Sequence, residues 1–128
     1  MTEEIIKTHY TSSELYTQMY YFEHERNAFV CYVRGNLCES VKDFFREVSA
    51  AMRFPDYFGW NWNAFDECIT DLEWLKFSCL LIIIDDYDSL FRKENADDEY
   101  VDYLIGFLKK AVEYWKSQNI PITIYLNQ

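Results

Sequence analysis

The run CLLIII at residues 79–84, closed by Asp85-Asp86, decides the fold. It is too short for an isolated helix and lacks the alternation that would leave one side wet, so it reads as a strand buried on both faces, as in a parallel sheet. Such a strand needs helices over it, and the flanking sequence supplies them. Upstream, residues 27–34 (NAFVCYVR) are short, apolar and β-branched, and Gly35-Asn36 closes them as a turn, which predicts another strand. Ser40 then opens a helix with Asp43 as a loose capping box, and Val41, Phe44, Phe45, Val48, Ala51 and Met52 form its inward stripe. Downstream, residues 87–91 suit a helical turn, and the polar, acidic residues 95–99 suit an exposed loop and a helix start. Val101, Leu104, Ile105, Leu108, Val112 and Trp115 keep helical spacing to about Ser117, and Pro121 opens a last strand, PITIYL, tolerable as its first residue. The predicted class is α/β: a small three-stranded parallel sheet flanked by helices, with right-handed crossovers.

Residues 1–26 give neither a clean helical nor a clean strand period. They read as an N-terminal extension packed on or beside a domain of residues 27–128, adding an edge strand or lying across the helices.

Between the first helix and the buried run lies FPDYFGWNWNAFDECITDL, residues 54–72. Pro55 ends the preceding helix, Gly59 permits a bend that a side chain resists, and Asn61 is a good N-cap for a short helix. Trp62, Phe65, Ile69 and Leu72 make one buried stripe of that helix, which leaves Asn63, Asp66, Glu67, Thr70 and Asp71 on its other faces. Tyr57, Phe58 and Trp60 crowd its entrance; Phe58 follows the apolar rhythm of the core, whereas Trp60 suits core or surface equally. The stretch is a rigid loop feeding a core-anchored helix with an acidic outer surface, a form suited to being touched.

Half of the 128 residues are hydrophobic, ample for one core without a metal or disulfide staple. Twenty-two acids against twelve lysines and arginines give a net charge of −10, which argues against nucleic-acid and anionic-membrane partners and favours a basic protein. Acidity also serves solubility by itself. Cys31, Cys38, Cys68 and Cys79 form no CxxC pair, so buried free thiols are expected, although an even count leaves a disulfide open. His9 and His24 lack neighbours suited to metal or to a relay and read as surface residues. No signal-peptide pattern and no apolar run of about 18 residues is present, which makes cytoplasm the expected location. No cofactor is implied.

The pattern F-P-D-Y-F-G-x-N-W-N-A-F-D-E-C-I-T-D-L, with Trp60 at x, resembles the signature of the barstar family, intracellular protein inhibitors of ribonucleases such as barnase. The resemblance lies in its proline, Tyr-aromatic-Gly, Asn, Ala and acid-Cys-aliphatic positions. It extends over about residues 29–126, takes in the Gly35 turn and Ile122-Thr123-Ile124, and leaves residues 1–26 outside. It implies a three-layer-like α/β fold and an immunity function: a monomer when free that forms a heterodimer with a basic nuclease or ribonuclease toxin and blocks its active site. Tyr57 and Gly59 match family positions in the loop that lies against the nuclease, and Asn61 matches the loop asparagine. Glu67 matches the acid that enters the nuclease site in place of substrate phosphate. Asn63 stands where the best-known member has a second acid and Asp66 where it has a tryptophan. On the C-terminal helix Tyr114 aligns with a contact glutamate, with Glu113 one residue away. With Trp60, Thr70 and Asp71 these make up the expected partner-binding set.

Two rival readings come from the residues. Asp85 and Asp86 end a parallel strand, where open α/β sheets bind ligands, and would serve a Mg²⁺-dependent phosphate-processing enzyme. No glycine-rich phosphate loop accompanies them. Trp60, Trp62 and Tyr57 would serve as a carbohydrate-stacking platform if all three were exposed.

Overall fold

The computed structural model describes residues 4–94 and 99–128. Strand β1 (Ile5–Thr8) and helix α1 (Ser12–Glu25) precede β2 (Ala28–Arg34), α2 (Val41–Ala51) and α3 (Trp62–Ile69). Strand β3 (Cys79–Asp85), helix α4 (Glu99–Ser117) and β4 (Ile122–Asn127) complete the chain, with short 3-10 turns at Gly35–Leu37 and Tyr87–Ser89. The loop expected at 95–99 lies, up to residue 98, outside the described residues.

The sheet has four strands rather than three, in the order β1-β4-β3-β2, and every neighbouring pair is parallel. The additional strand is β1, which joins the edge beside β4. An added edge strand was one of the two placements expected for the N-terminal segment; local periodicity does not single it out because its stability is supplied from the far end of the chain. Buried Asn127 accepts from the Thr8 hydroxyl at 2.8 Å and the Tyr10 amide at 2.7 Å, and its own amide donates to the Tyr10 carbonyl at 3.0 Å and Asp85 Oδ1 at 2.9 Å. All of its polar capacity is used in tying β1, β3 and β4 together.

β3 is buried along residues 79–84, and its side chains alternate between two cores. Leu80, Ile82 and Ile84 face the main core with α2, α3 and α4; Cys79, Leu81 and Ile83 face a smaller one with Leu15 and Phe22 of α1 and Tyr125. The result is three layers: α1, sheet, and the remaining helices. α1 is nucleated by a full capping box, Thr11 Oγ1 accepting from the Glu14 amide and Glu14 Oε1 from the Thr11 amide. Its period is blurred because exposed Tyr16, Tyr20 and Tyr21 are interleaved with buried Leu15 and Phe22. Gly35 matters through proximity: a Cβ there would stand 2.2 Å from the Asp85 carbonyl oxygen. All four cysteines are free and buried, and His9 and His24 are exposed. No helix among the described residues is long and apolar enough to cross a membrane.

Candidate functional site

The surface around α3 is built from behind. At the end of α2, Arg53 adopts a left-handed φ of 55°, and the Phe54 amide reaches back to the Ser49 carbonyl at 2.9 Å, a Schellman closure that turns the chain. The Trp74 indole donates to the Met52 carbonyl at 2.9 Å and holds that corner. Residues 55–58 then form a turn closed by the Phe58 amide on the Pro55 carbonyl, which sends Phe58 inward against Phe45 and Phe54 and leaves Tyr57 67 % exposed.

The bend expected at Gly59 falls one residue later. No glycine has positive φ; Trp60 takes the left-handed conformation at φ 56°, half-exposed, with its ring 5.6 Å from that of Phe58. Gly59 instead supplies a carbonyl to Asn61 Nδ2 at 3.2 Å, while Asn61 Oδ1 caps the helix by accepting from the Ala64 amide at 2.8 Å. One asparagine therefore fixes both the loop and the start of α3.

α3 has only eight residues and depends on its inner face for stability. Phe65, Cys68 and Ile69 are buried, and Trp62 lies half-buried between Phe44 and Phe107, stacked nearly parallel to the latter at 5.6 Å. The Trp115 indole of α4 donates to the Ile69 carbonyl at 2.9 Å. This anchorage presents Asn63 and Glu67 outward, continuous with exposed Tyr57, Gly59, Trp60, Asn61 and Asp71 and with half-buried Thr70. Thr70 returns its hydroxyl to the Asp66 carbonyl at 2.8 Å. Glu67 is exposed, and among the described residues its carboxylate has no hydrogen bond or ion pair.

Asp66 differs. Lys110 of α4 holds its Oδ2 at 3.0 Å, and its Oδ1 is buried without a hydrogen-bond donor. Partial desolvation and then the Asp71 carboxylate push the Tyr57 hydroxyl pKa up. Tyr114 lies one turn beyond Lys110 on α4 and is exposed. Glu113 is not brought to this surface; it lines a separate cleft with Glu4, Ile5 and Lys109. Lys110 is the member that the sequence reading missed. Its spacing with Phe107 and Tyr114 was visible, but which side of α4 meets α3 was not.

The rival sites have other geometry. Asp85 is filled by donors, with the Tyr32 hydroxyl on Oδ2 and the Asn127 and Asp86 amides on Oδ1, so it braces the strand end. No group of three or more His, Cys, Asp or Glu suited to a metal occurs among the described residues. Trp62 is committed to stacking inside the core, which removes it from any platform with Trp60 and Tyr57.

A comparison with curated proteins matches none. The family model described as barstar (barnase inhibitor) matches residues 28–127, from the start of β2 to the end of β4 and through the whole α3 surface. That span is most of the chain, and the chain therefore belongs to the barstar family, a family of inhibitors.

Proposed function

We propose that this protein is an immunity protein that inhibits a basic ribonuclease or nuclease toxin by lodging Glu67 in the cleft where substrate phosphate binds. The observation that carries this reading is the circumstance of Glu67: an exposed carboxylate free of internal partners, on a helix whose opposite side is locked into the core. A nuclease cleft offers Arg, Lys and His arranged for phosphate, and a preorganised carboxylate accepts the same charge-assisted hydrogen bonds. Tyr57 and Trp60 at the helix entrance supply the aromatic contact area that dominates interface energy, and Asn63 adds a neutral polar contact. The charge of −10 favours encounter with a cationic partner. The free protein is a monomer, its complex a heterodimer, and its place the cytoplasm of the cell that makes the nuclease. Helix α1 packs on the face of the sheet opposite α3, so residues 12–25 take no part in this contact.

The test is titration of the protein into a panel of purified basic ribonucleases of the barnase type, barnase included, with RNA cleavage as readout. Stoichiometric loss of cleavage by at least one of them is expected, weakened by Glu67→Gln and Tyr57→Ala at unchanged thermal stability. Inhibition of none, or equal inhibition by both variants, would overturn the reading.

A further inference from the structure

Gly106 sits in the middle of the nineteen-residue helix α4, on its exposed side. Glycine in an exposed helix interior costs roughly 1 kcal/mol relative to alanine. Neither of its usual justifications applies here. Its φ is not positive, and an added Cβ would meet nothing within 4 Å.

Gly106 lines a shallow, open notch of about 280 Å³ together with Asp102, Tyr103, Phe107 and Lys110. That lies at the lower edge of the roughly 300–1,000 Å³ of clefts that enclose small molecules, and its open shape suits a protruding protein side chain better than an engulfed ligand. Its location is informative. Phe107, in its wall, stacks on Trp62, the first residue of α3, and Lys110 at its rim pairs with Asp66. The notch therefore begins where the Glu67 surface ends.

We propose that this notch is the second anchor of the nuclease interface and receives one apolar side chain, aliphatic or aromatic, from the same partner. This rests on the reading of Glu67 given above. The occupant is apolar because Tyr103 and Phe107 form the walls, while the Lys110 ammonium, 5.8 Å over the Phe107 ring, already takes the place a cation would seek there. Asp102 and Lys110 at the rim offset each other in charge. A carboxylate that imitates phosphate suits many nucleases, so discrimination needs a feature that depends on shape; a pocket filled by one side chain is such a feature.

The experiment compares Gly106→Leu, Gly106→Ala and Glu67→Gln against whichever ribonuclease of the panel the wild-type protein inhibits. Gly106→Leu projects a bulky side chain into the notch and is expected to raise Kd at least tenfold, while its melting temperature stays level or rises with improved helix propensity. Gly106→Ala is expected to bind within about threefold of wild type. Full binding by Gly106→Leu with weakened binding by Glu67→Gln would overturn the notch and leave the Glu67 reading standing. Full binding by both variants, or a panel in which no ribonuclease is inhibited, would remove both. A wild-type dimer in sedimentation that Gly106→Leu abolishes, with nuclease binding intact, would assign the notch to a second copy of this chain instead.

Discussion

Glu67 and Asp66 are adjacent acids on one helix in opposite circumstances. Asp66 is spent within the molecule on Lys110, whereas Glu67 keeps its full capacity for a partner. Charge-assisted hydrogen bonds contribute about 1.5–3 kcal/mol each, so Glu67→Gln is expected to raise the Kd for the inhibited ribonuclease by roughly 10- to 150-fold in calorimetric titration. The exposure of Glu67 was legible in the spacing of the apolar residues around it. The commitment of Asp66 was not, since it depends on how two helices meet. The left-handed turn at Trp60 was likewise hidden, because a neighbouring glycine drew the prediction to itself. Cys38 gives a pH test at the same scale. It is buried, its thiol donates to the Arg34 carbonyl at 3.4 Å, and burial pushes its pKa from 9.0 to about 12. A pKa raised by folding means that stability is intact below about pH 9 and declines as the pH rises toward 12. Cys38→Ser keeps a donor of similar size without that titration, and urea melts across this range are expected to show a shallower alkaline decline than wild type.

At the scale of elements, α3 is too short to hold itself, and its rigidity comes from α4. The Trp115 indole closes that joint on the Ile69 carbonyl, in a position where water does not substitute. Trp115→Phe retains most of the ring but leaves the carbonyl without its donor, and is expected to cost about 1–3 kcal/mol in denaturant unfolding. Amide exchange along α3 is expected to quicken more than along α2. Elements from residue 28 onward were legible because each helix has one apolar side and β3 is apolar throughout. α1 was obscured by the tyrosines on its outer side, although the T-x-x-E box at Thr11 and Glu14 announces its start.

At the scale of the molecule, the parallel sheet followed from one doubly buried strand, whereas the strand that widens it to four was legible only as one of two placements for the N-terminal segment. A four-residue edge strand leaves little trace in its own sequence, and the residue that secures it, Asn127, lies 119 positions from Thr8. Asn127→Ala would strand Thr8, the Tyr10 amide and Asp85 together, an expected loss of about 3 kcal/mol or more in thermal or urea melts. The exchange of the β1 amides should approach that of an unstructured chain while β2 and β3 stay protected.

The β1–β4 pairing also determines how the molecule responds to mechanical load. These strands run parallel from Ile5↔Ile124 to Thr8↔Asn127, and the ladder extends to the Gln128 amide on the Thr8 carbonyl. Tension applied between the two ends of the chain draws the strands past each other lengthwise, loading all the rungs at once instead of opening them one by one. The protein is thus clasped at its seam, and a force-spectroscopy trace should show a single abrupt rupture.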